Sequence, residues 1–292
     1  MANRYINLLR IKQWTKNGFI FAALIFSKGF YNKNLTLKTI LGFLIFSLLA
    51  SSIYILNDIR DRERDKHHPT KCKRPIASGL ISIKLATTIS IFLFLISAVS
   101  SFFLSRNFFL ICIIYFLLNI AYTYWLKEIV ILDIFSISAG FFLRVLAGAA
   151  IISVSISHWL IICTILLSLF LALSKRKIEI TLIGKSESDI RHREILKEYS
   201  HSFIDQMIGI VTSATLISYI LYTTSPTTVK KFGTTNLIYT TPFVLYGIFR
   251  YLYLVYSKER GGDPTDEFLS DIPLLINAIL WLLTSALIIT FL

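Results

Sequence analysis

Nine stretches of the chain, roughly 17–32, 36–56, 83–104, 108–126, 129–151, 156–174, 203–224, 236–256 and 272–292, are apolar almost without interruption. A helix needs about twenty such residues to cross roughly 30 Å of hydrocarbon, and any backbone amide left unpaired in lipid is heavily penalised. Segments of this kind have little choice but to be helices. The expectation is an all-α integral membrane protein, a nine-transmembrane-helix bundle forming one domain over 1–292. With 55% hydrophobic and only 16% charged residues, the chain is excluded from the ordinary soluble classes.

Two long polar segments, 57–82 and 175–202, interrupt the apolar pattern; the other connections are short, so chemistry is expected in these two loops. Lys and Arg divide unevenly between the two sides of a nine-span arrangement. The N-terminal segment, both long loops, the 126–129 turn and the 257–271 connection carry 21, and the opposite face carries six. Basic residues collect in cytoplasmic loops, which predicts a cytoplasmic N-terminus and an outside C-terminus. The first residues read as an uncleaved, basic, interfacial helix. The net charge of +13 is then a topology signal and a match for anionic headgroups or substrates, and no aromatic-basic motif argues for nucleic acid. Cys72, Cys112 and Cys163 offer no pair in an oxidising compartment, so no disulfide is expected.

The densest polar stretch starts where the second apolar run ends, at Asn57, Asp58, Asp61 and Asp65, and continues through the basic run Lys71, Lys73 and Arg74. If the helix runs past residue 56, Asn57, Asp61 and Asp65 recur every fourth residue and share a face, with Asp58 one step round. Carboxylates so placed repel unless a cation lies between them. Hard oxygen ligands suit Mg²⁺, which is held by one or two carboxylates and completed by substrate phosphates, and the basic run would neutralise the rest of a diphosphate. A solvated loop of mutually paired charges is the plainer reading of the same residues. His67 and His68 as zinc ligands are a weaker one, because no cysteine partner has ligand spacing.

Asn-Asp-x-x-Asp-x-x-x-Asp between the second and third of nine spans resembles the UbiA superfamily of intramembrane prenyltransferases. Within it, the stretches RIKQWTKN (10–17), DKHHPTKCKRPIASG (65–79), TYWLKEIVILD (123–133), FFLRVLAGAA (141–150), LFLALSKRKIEI (169–180), YSHSFIDQM (199–207) and FVLYGIFRYLYLV (243–255) resemble the decaprenyl-phosphate phosphoribosyltransferase branch. The resemblance implies a UbiA-like bundle. It also implies Mg²⁺-dependent transfer of a 5-phosphoribosyl group from phosphoribosyl diphosphate (PRPP) to a polyprenyl phosphate, in the plasma (inner) membrane with the active site facing the cytoplasm. On that reading Asp58, Asp61 and Asp65 are both catalytic and metal-binding. The attacking lipid phosphate is already anionic, so the chain needs no general base.

The second long loop departs from the broader superfamily, which repeats an aspartate-rich motif there. This chain has Ser174, Lys175, Arg176, Lys177, Ile178 and Glu179 instead. Cations in place of carboxylates suit direct contact with phosphate oxygens, of either the ribose 5-phosphate or the lipid phosphate; Lys175, Arg176 and Glu179 match the phosphoribosyltransferase branch, and the resemblance implies that they bind the donor, with a positive-inside signal as the alternative. Arg144 and Arg250 lie deep in apolar runs, where a charge is costly and usually retained for function, and both are expected to face the bundle interior. Arg144 is counted among the substrate-binding candidates with Asn57, Lys71, Lys73, Arg74, Lys127 and Lys16, the last reading as a lipid-phosphate hook or a snorkelling anchor. Asp133 could pair with Lys127 or a neighbouring arginine, and the small residues from Ser136 to Ala149 read as helix packing. A UbiA-type enzyme moving a prenyl group from its diphosphate to an aromatic acceptor is the competing activity. A transporter is disfavoured because polarity gathers at one face.

Overall fold

The computed structural model describes residues 2–27, 29–67, 71–183, 194–258, 267–268 and 270–291. Every regular element among them is helical. In chain order they include α1 (Ala2–Leu9), a 3-10 helix (Ile11–Ile20), α2 (Phe21–Phe26), α3 (Lys33–Arg60), α4 (Arg62–Lys66), α5 (Ile83–Leu104), α6 (Arg106–Tyr124), a 3-10 turn (Leu126–Glu128), α7 (Leu132–Ile152), α8 (His158–Ile183), α9 (His201–Thr224), α10 (Pro226–Phe232), α11 (Thr241–Ser257) and α12 (Ile272–Phe291). Seven of them, α3, α5, α6, α7, α8, α9 and α12, are long and apolar enough to cross a membrane. The protein is a multi-pass, all-α membrane protein.

Two expected spans take a different form. The 17–32 run is divided between the Ile11–Ile20 3-10 helix, the six-residue α2 and a short 3-10 turn at Gly29–Tyr31. Asn17 and Gly18 are weak helix formers, and the Asn17 amide is drawn sideways into a hydrogen bond with Ser47 at 3.0 Å. The 236–256 run begins as a 3-10 helix and becomes α-helical only at Thr241, where Pro242 occupies the first turn. Proline lacks the N–H an upstream helix would need and biases its predecessor away from helical geometry. The polar segments also differ from open loops. α3 runs on to Arg60, and α8 continues through Lys175 to Ile183, because Lys, Arg and Glu favour helix and Arg176 pairs with Glu179 one turn on.

Helix starts follow a common device. Asn32, Ser82, Ser105, Ser200 and Ser225 each accept a hydrogen bond from a backbone N–H of the first turn, satisfying donors that lipid could not.

The chain forms two compact units, α1 to α7 and α8 to α12. In the first, Phe46, Leu49, Ala50 and Ile53 of α3 pack with Ile20, Phe108, Tyr115, Leu143 and Ala147. A second cluster, Leu8, Ile55, Ile76, Ile81, Ala86 and Leu93, anchors both α1 and the 74–82 segment. α7 approaches the Ile11–Ile20 helix so closely that a Cβ on Gly148 would sit 2.0 Å from the Ile20 carbonyl oxygen. Buried Ser138, Ala147 and Ala149 line the same helix, as its small-residue pattern suggested. In the second unit, Trp281 donates to the Tyr219 hydroxyl at 2.8 Å, which is 2.6 Å from Thr240. Arg250 is held by a bidentate pair with Asp271, at 3.0 and 2.8 Å. Phe92, Leu95, Val99 and Phe103 of α5 and Leu283 and Leu287 of α12 stand exposed, as lipid-facing residues should.

Candidate active site

The last turn of α3 carries Asn57 and Asp58, and Asp61 then leaves helical geometry at the junction with α4. The hydrogen-bond ladder nevertheless continues. Asp61 N donates to Asn57 O at 2.9 Å and Asp65 N to Asp61 O at 2.8 Å. The backbone repeat therefore persists, but the side chains divide, Asp61 turning to Asn57 while Asp65 shares Arg74 with Asp58. Asp58 and Asp65 are buried, 2% and 5% exposed. Charges withdrawn this far from water need partners.

Those partners are cations from three other segments. Arg74 Nη1 donates to both Asp58 Oδ1, at 3.1 Å, and Asp65 Oδ2, at 2.6 Å. Arg10 also donates to Asp58 Oδ1. Lys127, 4% exposed, donates to Asp61 Oδ1 at 2.7 Å, while the Asn57 amide donates to the other oxygen of Asp61 at 3.1 Å and Thr123 donates to Asn57 at 3.4 Å. Three carboxylates are thus met by three cations in two neighbouring networks, Asp58 and Asp65 with Arg74 and Arg10, and Asp61 with Lys127 and Asn57.

The geometry of each cation is set locally. Arg74 precedes a segment pinned by Ile76 and Ile81 in the core and turned at Gly79, whose φ of 79° favours glycine. Arg10 occupies the left-handed region, φ 51°, between α1 and the 3-10 helix, and its guanidinium also lies 5.5 Å from the Tyr54 ring centroid. Lys127 sits on the turn that leads into α7 through Ile131, a β-branched residue at φ 72°. Such a conformation costs on the order of 1–3 kcal/mol and persists only where surrounding packing imposes it.

The other expected residues fall in distinct places. Lys71 and Lys73 lie on a 3-10 turn just before Arg74, with Lys73 exposed; of that basic run, Arg74 is the residue seen to reach Asp58 and Asp65. Lys16 is half-buried on the Ile11–Ile20 helix, which Trp14 fastens to Ser51 at 3.0 Å. Arg144 faces the interior of the first unit, 5% exposed, and donates to Asn17, Tyr115 and the Gly140 carbonyl at 2.7–2.8 Å. It knits α6 and α7 to the broken first segment. In the second unit, Arg176 is 1% exposed and pairs with Glu179, Lys175 is half-buried, and Lys177 bonds Asp205, which Tyr256 also engages at 2.6 Å. His67 is exposed at the end of α4, and His68 lies outside the described residues. Arg10, Thr123 and Tyr54 were not singled out from sequence. The signals for Arg10 were its place at the head of the RIKQWTKN stretch and among the basic residues on the same expected side as Asp58.

Among the described residues, no three His, Cys, Asp or Glu side chains form a ready-made metal cage. The donor set is nonetheless all oxygen. One or two of these carboxylates, with phosphate oxygens supplying the rest of the shell, is the coordination Mg²⁺ accepts. The residues fit a hard divalent ion that comes with a diphosphate, and they fit a softer or self-sufficient metal centre poorly.

The description "UbiA prenyltransferase family" matches residues 18–272, most of the chain, and the chain belongs to that family. It is a transferase. Over 96% of its length it is 31% identical to the decaprenyl-phosphate phosphoribosyltransferase of Corynebacterium glutamicum, covering 85% of that protein. It is 29% identical to the Mycobacterium tuberculosis enzyme of the same name, over 96% of this chain and 92% of that one. Within the family, its similarity is to this phosphoribosyltransferase branch. The fold matches that of a UbiA homolog from Archaeoglobus fulgidus, solved bound to DMAPP and Mg²⁺, with a TM-score of 0.73 over 99% of this chain and 100% of that one, at 16% identity.

Proposed function

We propose that the protein transfers a 5-phosphoribosyl group from PRPP to a polyprenyl phosphate, releasing diphosphate, at the cytoplasmic face of the plasma membrane, and so supplies a lipid-linked precursor for envelope polysaccharide. The observation that carries this reading is the full-length similarity to phosphoribosyltransferases, joined to a cluster that presents both carboxylates and cations. In the reaction an oxygen of the lipid phosphate bonds to the anomeric carbon as the bond from that carbon to the diphosphate oxygen breaks. The diphosphate leaves with the electron pair. The nucleophile is already anionic, so no side chain has to accept a proton.

Asp58, Asp61 and Asp65 are the residues that would hold Mg²⁺, which when bound neutralises charge growing on the leaving diphosphate. Arg10, Arg74 and Lys127 supply charge-assisted donors for phosphate oxygens beside it. Lys175 and Arg176 are assigned to the ribose 5-phosphate or the lipid phosphate, and Glu179 to holding Arg176 in orientation. Basic replacement of the second acidic motif favours this activity over prenyl transfer from a prenyl diphosphate to an aromatic acceptor. The deciding experiment gives purified protein Mg²⁺, polyprenyl phosphate and labelled PRPP in one tube, and Mg²⁺, labelled prenyl diphosphate and an aromatic acid in another. Label in the lipid phase is expected from the first donor only. Product in the second tube alone would reverse the assignment.

A further inference from the structure

The same cluster bears on the order in which its ligands arrive, an inference that rests on the reading above that a metal and a diphosphate meet there. Asp58, Asp61 and Asp65 carry three negative charges, and Arg10, Arg74 and Lys127 carry three positive charges against them. All six belong to the first unit, with Asp58, Asp65 and Lys127 buried. A bare divalent cation therefore meets carboxylates that are each already paired with a cation. Its nearest obstacle is specific. Arg74 Nη1 lies between Asp58 and Asp65, within 3.1 and 2.6 Å of their oxygens, in the space a shared metal would need.

A diphosphate changes the balance. Its oxygens accept from guanidinium and ammonium groups at least as well as carboxylates do, and arginine matches phosphate with two parallel donors. Diphosphate arriving with a metal allows an exchange in which Arg10, Arg74 and Lys127 turn to phosphate oxygens while the carboxylates they release turn to the metal. No buried charge is left unpaired at the end. A metal arriving alone would strand the arginines among one another, and a diphosphate arriving alone would strand the carboxylates.

We infer that Arg74 is a latch that makes metal and diphosphate bind as one unit: the free enzyme has little affinity for the metal alone, and Arg74 is the residue that enforces this. Lys127, engaging Asp61 at 2.7 Å, and Arg10 assist, and Arg74 is the residue seen to bridge two of the carboxylates.

Equilibrium dialysis of the full chain in nanodiscs tests this with radiolabelled Mn²⁺ as the metal and inorganic pyrophosphate as the diphosphate, each alone and both together, correcting for the complex they form in solution. Wild type should retain Mn²⁺ at least about tenfold more tightly with pyrophosphate than without, the scale of one charge-assisted contact or more. Arg74→Met should bind Mn²⁺ alone about tenfold more tightly than wild type and pyrophosphate about tenfold more weakly. Arg74→Lys, which keeps the charge but cannot reproduce the guanidinium bridge, should fall between them, and a melting curve establishes that each variant is folded. Wild type that binds Mn²⁺ equally with and without pyrophosphate would overturn the inference, as would a folded Arg74→Met with unchanged affinity for the metal alone. The donor assignment fails differently. If PRPP gave no lipid product while the pyrophosphate linkage held, the latch would stand and the sugar donor would be wrong.

Discussion

Lys127 and Asp61 form an ion pair to which the proposed reaction adds a second role. The ammonium is buried and its one carboxylate partner is nearly so, which makes removal of either side alone expensive. Lys127→Met should cost about 3 kcal/mol of stability, because it leaves Asp61 charged and poorly solvated. Combining it with Asp61→Asn should return most of that loss, since two neutral groups no longer need each other. Activity should not return with it. Thermal melts and turnover measured on both singles and the double therefore separate the two roles, and a double variant that recovers transfer would remove Asp61 from the site. Asp58→Asn tests the neighbouring position. It retains shape but loses the charge that Arg10 and Arg74 answer, so it should lower the melting temperature and, in the protein that remains folded, lower turnover at least about a hundredfold. Normal turnover at saturating Mg²⁺ would show that the carboxylate of Asp58 is dispensable.

At the scale of elements, what lipid dictates and what it leaves open separate cleanly. The apolar runs that became α3, α5, α6, α7, α8, α9 and α12 were legible because hydrocarbon admits no alternative to the helix. The backbone repeat that links Asn57, Asp61 and Asp65 was legible for a similar reason, a fixed period, but the sharing of Arg74 by Asp58 and Asp65 was not. Arg10 meeting Asp58 was not, since 48 residues separate them and no periodicity links a left-handed residue before one helix to the end of another. The broken first segment was hidden too, because hydropathy does not distinguish a 3-10 helix from an α-helix. That segment depends on close approach. Gly148→Ala should destabilise the protein by about 1 to 3 kcal/mol, because the added Cβ meets backbone that cannot swing aside. Gly18→Ala, with nothing within 4 Å of its added Cβ, should stay within about 0.5 kcal/mol. Equal melting temperatures for the two variants would refute the close contact. In the second unit, the helical extension of α8 fixes Lys175 on a rigid element, so Lys175→Ala should raise the KM for PRPP about tenfold with kcat within about threefold. An unchanged KM would release Lys175 from the donor.

For the whole molecule, the open quantity is how many times the chain crosses the bilayer. Among the described residues, seven helices are long enough alone. α11 has 17 residues, about 25 Å at an α-helical rise, and the 3-10 helix before it adds about 10 Å, so the pair reaches across roughly 30 Å of hydrocarbon. The ten-residue 3-10 helix and α2 together come to about 29 Å on the same arithmetic, a length that just suffices. The 11–26 segment retraces the length of α3, with Arg10 at Asp58, Trp14 at Ser51 and Asn17 at Ser47, so α1 ends on the same side as Asp58. If α11 and its 3-10 helix cross as well there are nine passages and the ends of the chain lie on opposite sides, whereas eight would bring them together. On the lysine and arginine distribution, Asp58, Arg74 and α1 are proposed to face the cytoplasm. Cys72, half-exposed beside Arg74, is a native reporter of this arrangement. With Cys112 and Cys163 replaced by alanine, a membrane-impermeant maleimide added to intact cells should leave Cys72 unlabelled and should label it fully once the membrane is opened. A second cysteine at Lys230, placed in a Cys72→Ser background, should react from outside in intact cells. Labelling of both positions from the same side would mean an even number of crossings between residues 72 and 230, and would turn either the carboxylate cluster or the segment around α10 to the wrong face of the membrane.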